Sequence, residues 1–206
     1  MPEININPQL KERFIQYLTK YNSEPRPDIH VTDLTYCLRA AYFNKVNPKP
    51  PTEIQLGYYV DGARRHLILQ SLTNIEREFK IEKYGVKGSI DLYDGREPVE
   101  VKTTRAMSGV PPHYINQLGF YCAIVDSQRG HLIIQRLNNK EQPWEWHTIE
   151  WTQDELKELC FDIDHRASLL KTALTLQKPR ILPIVGGNMA WICPNCQHKE
   201  ECKNGE

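Results

Sequence analysis

Asp91, Glu100 and Lys102 lie in the stretch GSIDLYDGREPVEVKTTR (Gly88 to Arg105), whose other residues alternate like a half-buried hairpin. Val86, Gly88, Ile90 and Leu92 share one parity and Lys87, Ser89 and Asp91 the other, while in the second arm Val99 and Val101 alternate with Glu100 and Lys102. Strand side chains change face with period two, so each arm has one apolar face. A tight turn centred on Gly95-Arg96 sets Leu92 opposite Val99 and Asp91 opposite Glu100. Two carboxylates about 4 Å apart repel by roughly 1 kcal/mol in bulk water and about 4 kcal/mol at an effective dielectric of about 20, and like charges facing across strands destabilise. A cation is expected between them. Lys102 shares a face with Glu100 and serves in part; a divalent cation held by both carboxylates is the stronger solution, because Mg²⁺ prefers oxygen ligands. An acid followed at a distance by Glu-x-Lys also occurs in ordinary solvated hairpins, so the rest of the chain has to decide.

A second set of chemical residues closes the chain. Cys193, Cys196 and Cys202 form C-x2-C-x5-C in MAWICPNCQHKEECKNGE, a polar, turn-rich segment too short for a core of its own. Such segments order around a metal or another staple. Three thiolates leave a tetrahedral site one ligand short, and either His198 or the distant Cys37 can complete it. Zinc and iron-sulfur clusters both accept thiolates, so ligand type leaves the metal open. Cys122 and Cys160 fall inside helical patterns and read as packed, inert thiols.

The elements that must position these groups follow from periodicity. Leu10, Phe14, Ile15 and Leu18 mark an amphipathic helix ended by EPRPD; a second helix, about Thr32 to Phe43, carries Cys37 on its buried stripe; a third spans roughly Glu53 to Leu72. Two or three strands follow, then a helix opened by Pro111-Pro112, strands near His131 to Leu137 and Trp144 to Trp151, and a helix from about Thr152 to Leu176. This order is α/β, with a small central sheet flanked by helices. At 206 residues with 40% hydrophobic side chains the chain suits one core with an appendage. Lys+Arg and Asp+Glu both number 26, so no global charge marks a nucleic-acid binder and any such contact must be local. The absence of a long apolar run or signal-like N-terminus predicts a soluble, cytoplasmic protein with no membrane partner, where cysteines serve metal or redox chemistry more than disulfides.

Taken together and in order, these motifs resemble the CRISPR-associated Cas-four family of RecB-like PD-(D/E)xK nucleases, over roughly Val31 to Cys202. VTDLTYCLRAAYF resembles the family's N-terminal cysteine helix, GARRH its Gly-x3-His motif, GSID its Gly-x-x-Asp strand, EVK its Glu-x-Lys strand, QLGFY its Gln-x3-Tyr helix and the tail its cysteine triplet. Leu38 stands where many relatives have Pro, and the tail is short. The resemblance implies a PD-(D/E)xK restriction-endonuclease-like core over residues 52–180, an N-terminal helical region over 1–51 and a cluster-binding tail over 181–206. It makes Cys37 the fourth ligand, with Cys193, Cys196 and Cys202, of a [4Fe–4S] cluster, and leaves His198 an exposed polar residue. It assigns Mg²⁺ or Mn²⁺ to His66, Asp91, Glu100 and the Val101 carbonyl, and orientation of the attacking water to Lys102. Gln117 and Tyr121 would touch DNA or the edge of the active site, and Arg64, Arg65 and Arg105 would engage phosphates. The implied activity is exonucleolytic cleavage of single-stranded DNA or overhangs, preparing fragments for a CRISPR array with integrase partners. A viral or mobile-element end-processing nuclease of the same fold, or a non-catalytic iron-sulfur DNA-binding adaptor, are the alternatives.

Overall fold

The computed structural model describes residues 8–22, 26–71, 76–106 and 108–204. Helix α1 (Pro8–Asn22) leads to a two-residue strand β1 (Ile29–His30), helices α2 (Val31–Thr35), α3 (Leu38–Val46) and α4 (Glu53–Ser71), and strands β2 (Glu76–Lys83), β3 (Val86–Tyr93) and β4 (Pro98–Thr104). Helix α5 (Pro112–Val125), strands β5 (Arg129–Arg136) and β6 (Trp144–Glu150), helix α6 (Gln153–Leu176), two 3₁₀ turns (Pro179–Ile181 and Gly187–Asn195) and helix α7 (Lys199–Asn204) complete the order. The expected α/β architecture with a small mixed sheet flanked by helices is what forms.

Local chemistry sets several boundaries. Thr152 caps α6 through a reciprocal pair with Glu155, and Pro112 opens α5, where its missing N–H costs nothing. Tyr84 and Gly85 both take positive φ, the turn that matches strand twist, and close the β2–β3 hairpin.

The predicted second helix is broken. Tyr36 leaves helical geometry and Cys37 becomes the N-cap of α3, so the cysteine points from a helix N-terminus instead of sitting on a mid-helix stripe. The carbonyls left by the break are met from far along the chain: Arg166 of α6 donates to Leu34 O at 2.7 Å and to Tyr36 O at 3.0 Å.

The six-stranded sheet runs β1-β3-β4-β5-β6, with β2 also on β3. Antiparallel β2 pairs along the whole of β3, so β1 and β4 share its other edge: β1 is parallel to it at Val86 and Lys87, β4 antiparallel at Leu92 and Tyr93. β4 then runs parallel to β5 from Val99 to Thr104. Leu118, Leu132, Ile134, Leu156, Ile163 and Leu170 fill the core where α5 covers the sheet and α6 packs against α5 and α3. Gly130 permits that approach, since a Cβ there would lie 2.7 Å from Cys122 Sγ. Among the described residues no helix is long and apolar enough to cross a membrane.

Candidate active site and cysteine cavity

The β3–β4 register is the expected one, Leu92 with Val99 and Tyr93 with Pro98, but the ladder ends one pair short of Asp91 and Glu100. Facing carboxylates would repel there, and further along the same edge of β3 it is β1 that pairs, at Val86 and Lys87. Asp91 Oδ2 accepts the Val101 N–H at 2.8 Å instead. The two acids therefore sit where the sheet splits, which answers why its strands carry charge inward.

Glu100 is 2% exposed, more buried than its apolar neighbour Val99 and against the simple alternation of its strand. A carboxylate in that setting requires a countercharge and hydrogen bonds. Lys102 Nζ lies 2.5 Å from Glu100 Oε1 and donates to Gln117 Oε1 at 2.8 Å, while Gln117 Nε2 donates to Glu100 Oε1 at 2.8 Å and to the Tyr121 hydroxyl at 3.2 Å. Burial alone would lower the Lys102 pKa; the charge and hydrogen bond of Glu100, with Asp91 beyond, outweigh it and keep the ammonium above its ordinary value. Gln117 and Tyr121 are themselves buried. Neither offers a surface to DNA; both brace the Glu100–Lys102 pair from beneath. Gly88 makes room for this brace, because a Cβ there would meet Tyr121 Cε1 at 3.0 Å.

Lys102 opens onto a cavity of about 930 Å³ bounded by the 105–112 segment, α4 and the tail. Tyr36, Tyr58, Tyr59, His113, Tyr114 and Trp191 bring aromatic rings to its walls. Arg105 lies 4.8 Å over the Tyr58 ring and donates to its hydroxyl at 3.3 Å. Asp61 and Gly62 line the same cavity, which brings the GARRH turn of α4 beside Lys102. Arg64 is exposed on that helix, and the side chains of Arg65 and His66 lie outside the described residues. His113 is buried with no partner for Nδ1 among the described residues, and burial followed by the Lys102 charge pushes its pKa down to about 4, so the ring is neutral at neutral pH.

Sequence reasoning missed the part played by Arg136. It is 1% exposed, pairs with Glu145, and donates to Ala106 O at 2.9 Å and Gly109 O at 2.8 Å. It thereby fixes the loop that walls the cavity. Position in β5 alone reads as an edge charge, and only the buried parity of its strand hints otherwise.

Cys37, Cys193, Cys196 and Cys202 line a separate cavity of about 690 Å³ between α3 and the tail. Burial raises the Cys196 pKa and the charges of Cys37, Cys202 and Cys193 add to it, against a hydrogen bond from the His198 backbone. Arg39 Nη1 is 3.9 Å from Cys202 Sγ, and Cys37 occupies the N-cap of α3. His198 is 2% exposed, contrary to the expected exposed residue: Asn44 Oδ1 lies 2.7 Å from its Nε2 and Phe43 stacks on its ring. The tail is docked on α3 through it. Among the described residues no three His, Cys, Asp or Glu side chains form a group able to hold a single metal ion. Cys122 is fully buried and Cys160 Sγ lies against the Ala123 carbonyl, as packed thiols should.

No family model and no curated protein sequence matches the chain. Among solved structures, SSO0001 superposes with a TM-score of 0.61 at 19% identity, covering 92% of this chain and 94% of that one. An alkaline exonuclease, LHK-Exo from Laribacter hongkongensis, gives a TM-score of 0.50 at 12% identity over 80% of this chain and 97% of its own. The same exonuclease in complex with dAMP gives 0.50 at 11% identity, over 82% and 97%. The chain is built on the fold that SSO0001 and this exonuclease share.

Proposed function

We propose that this protein is a metal-dependent DNA nuclease that acts on single-stranded ends or overhangs and prepares fragments for CRISPR spacer acquisition alongside integrase proteins. The observation that carries the reading is the convergence of Asp91, Glu100 and Lys102 at the split of β3 from β4, on a fold shared with an alkaline exonuclease. A DNA-binding adaptor has no use for two carboxylates beside phosphate. The donor set of two carboxylates, with the Val101 carbonyl and the His66 that the family resemblance adds, is hard and oxygen-rich in type and would suit Mg²⁺ or Mn²⁺. Such an ion supplies charge neutralisation at the phosphate and a bound water of lowered pKa. Lys102, held protonated by Glu100, would orient that water, and Gln117 links acid and ammonium by a hydrogen bond to each.

The four cysteines would hold a [4Fe–4S] cluster. Four thiols line one shared cavity, the ligand number such a cluster takes. Its role here is to staple the tail to α3. Incubating the purified protein with 5′- and 3′-labelled single strands in Mn²⁺, Mg²⁺ and EDTA tests the activity. Metal-dependent shortening from an end is expected; binding without cleavage in either metal would overturn it in favour of an adaptor.

A further inference from the structure

Trp191 stands at the rim of the aromatic cavity, 54% exposed, in the 3₁₀ turn that carries Cys193. Behind it the rings form a continuous path. The Trp191 and His113 centroids are 6.0 Å apart, His113 lies 4.6 Å from Tyr36 and 4.4 Å from Tyr114, and Lys102 Nζ is 5.5 Å from the Tyr114 ring. A large indole half in solvent, braced by a neutral buried imidazole, leads by ring contacts to the ammonium of the proposed site. Across the cavity, Arg105 over Tyr58 supplies a cation beside another π-face. Aromatic faces interleaved with a cation on the way to a phosphodiester site match an unpaired nucleotide, since every base has a π-face and duplex bases offer theirs only at the last pair.

We propose that Trp191 is a stacking platform for one unpaired base of the substrate strand, so that the cysteine tail supplies a specificity determinant to the catalytic cavity. This rests on the nuclease reading above for the identity of the strand. Trp191 touches a base and moves no proton. Its loss acts on binding and on the preference for unpaired DNA, and leaves saturated turnover in place.

The test is a cycle between protein and substrate, with binding of a labelled single strand measured by anisotropy in Ca²⁺. An abasic residue is walked along the strand one position at a time. In the parent protein one position is expected to weaken binding by roughly 5- to 150-fold, the range for loss of one stacked base. Trp191→Ala weakens the intact strand by a similar factor, Trp191→Phe by much less, and the abasic substitution adds little to Trp191→Ala because both remove the same contact. If no abasic position weakens the parent's binding by more than about twofold against that stacking range, the platform is refuted whatever the variants do. Losses that multiply in the double arm would equally refute it. Cleavage in Mn²⁺ is scored separately: a non-additive cycle in a protein that never cuts would leave the platform standing and remove the nuclease reading, whereas normal cutting with an additive cycle does the reverse.

Discussion

Gln117 joins the carboxylate to the lysine at the candidate site, and its burial explains why a polar residue occupies the apolar face of α5. Replacing it with Leu leaves Glu100 and Lys102 each short of a hydrogen bond to a charged group, a loss of about 1.5–3 kcal/mol per bond. Gln117→Leu should lower unfolding stability on that scale, read by urea titration, and reduce turnover more than DNA binding. His113 gives a second expectation at this scale. Its folded pKa, about 4, lies below the ordinary 6.5, so the unfolded chain takes up the proton first. Its contribution to stability is intact above pH 6.5 and is lost as pH falls toward 4. Unfolding midpoints across that range should fall for the parent and fall less for His113→Phe. That Asp91, Glu100 and Lys102 lie close together was legible from the spacing of the hairpin. The brace of Gln117 and Tyr121 was not, because helical period places them on one face without saying that the face looks inward.

Elements with local causes were legible: α4, α5 and α6 follow from apolar period, a proline start and a capping pair, and the hairpin register follows from its turn. Elements decided by distant residues were not. The break between α2 and α3 depends on Arg166, well over a hundred positions away, and the opening of β3 from β4 goes with β1 taking the same edge of β3 at Val86 and Lys87. Arg136 shows what such a contact does for function, because it ties β5 to the loop before α5 through Ala106 and Gly109. Its hydrogen bond, ahead of the opposing burial, holds the Glu145 carboxyl down at about 2 from 4.5. This contribution is present above pH 4.5 and lost as pH falls through the folded value. Arg136→Met should therefore flatten the acid limb of the stability profile below pH 4.5, and speed amide exchange between Ala106 and Val110. An unchanged acid limb would show that the pair does not hold the loop.

At the scale of the whole molecule, two cavities share the tail: its cysteines face α3 and its Trp191 faces Lys102's cavity. The gathering of the tail cysteines was legible because their spacing is local; the contact of Trp191 with His113 was not, since nothing in the sequence brings the two together. Replacing Cys37 by Ser should bleach the brown colour expected of the purified protein and make the tail protease-sensitive, while Cys122→Ser leaves the colour. Stoichiometric zinc in a colourless parent protein would refute the cluster. The central claim is that the charges at the sheet split are a metal-dependent cutting site, and paired variants test it most directly. Mn²⁺ binding by calorimetry and single-strand cleavage should be measured on Asp91→Asn, which keeps an acceptor for the Val101 N–H, and on Lys102→Ala. The account predicts that Asp91→Asn loses Mn²⁺ affinity and cleavage together, whereas Lys102→Ala binds Mn²⁺ at least as well and loses about 10²- to 10⁴-fold in turnover. Lys102→Ala cutting DNA at the parent rate would contradict it.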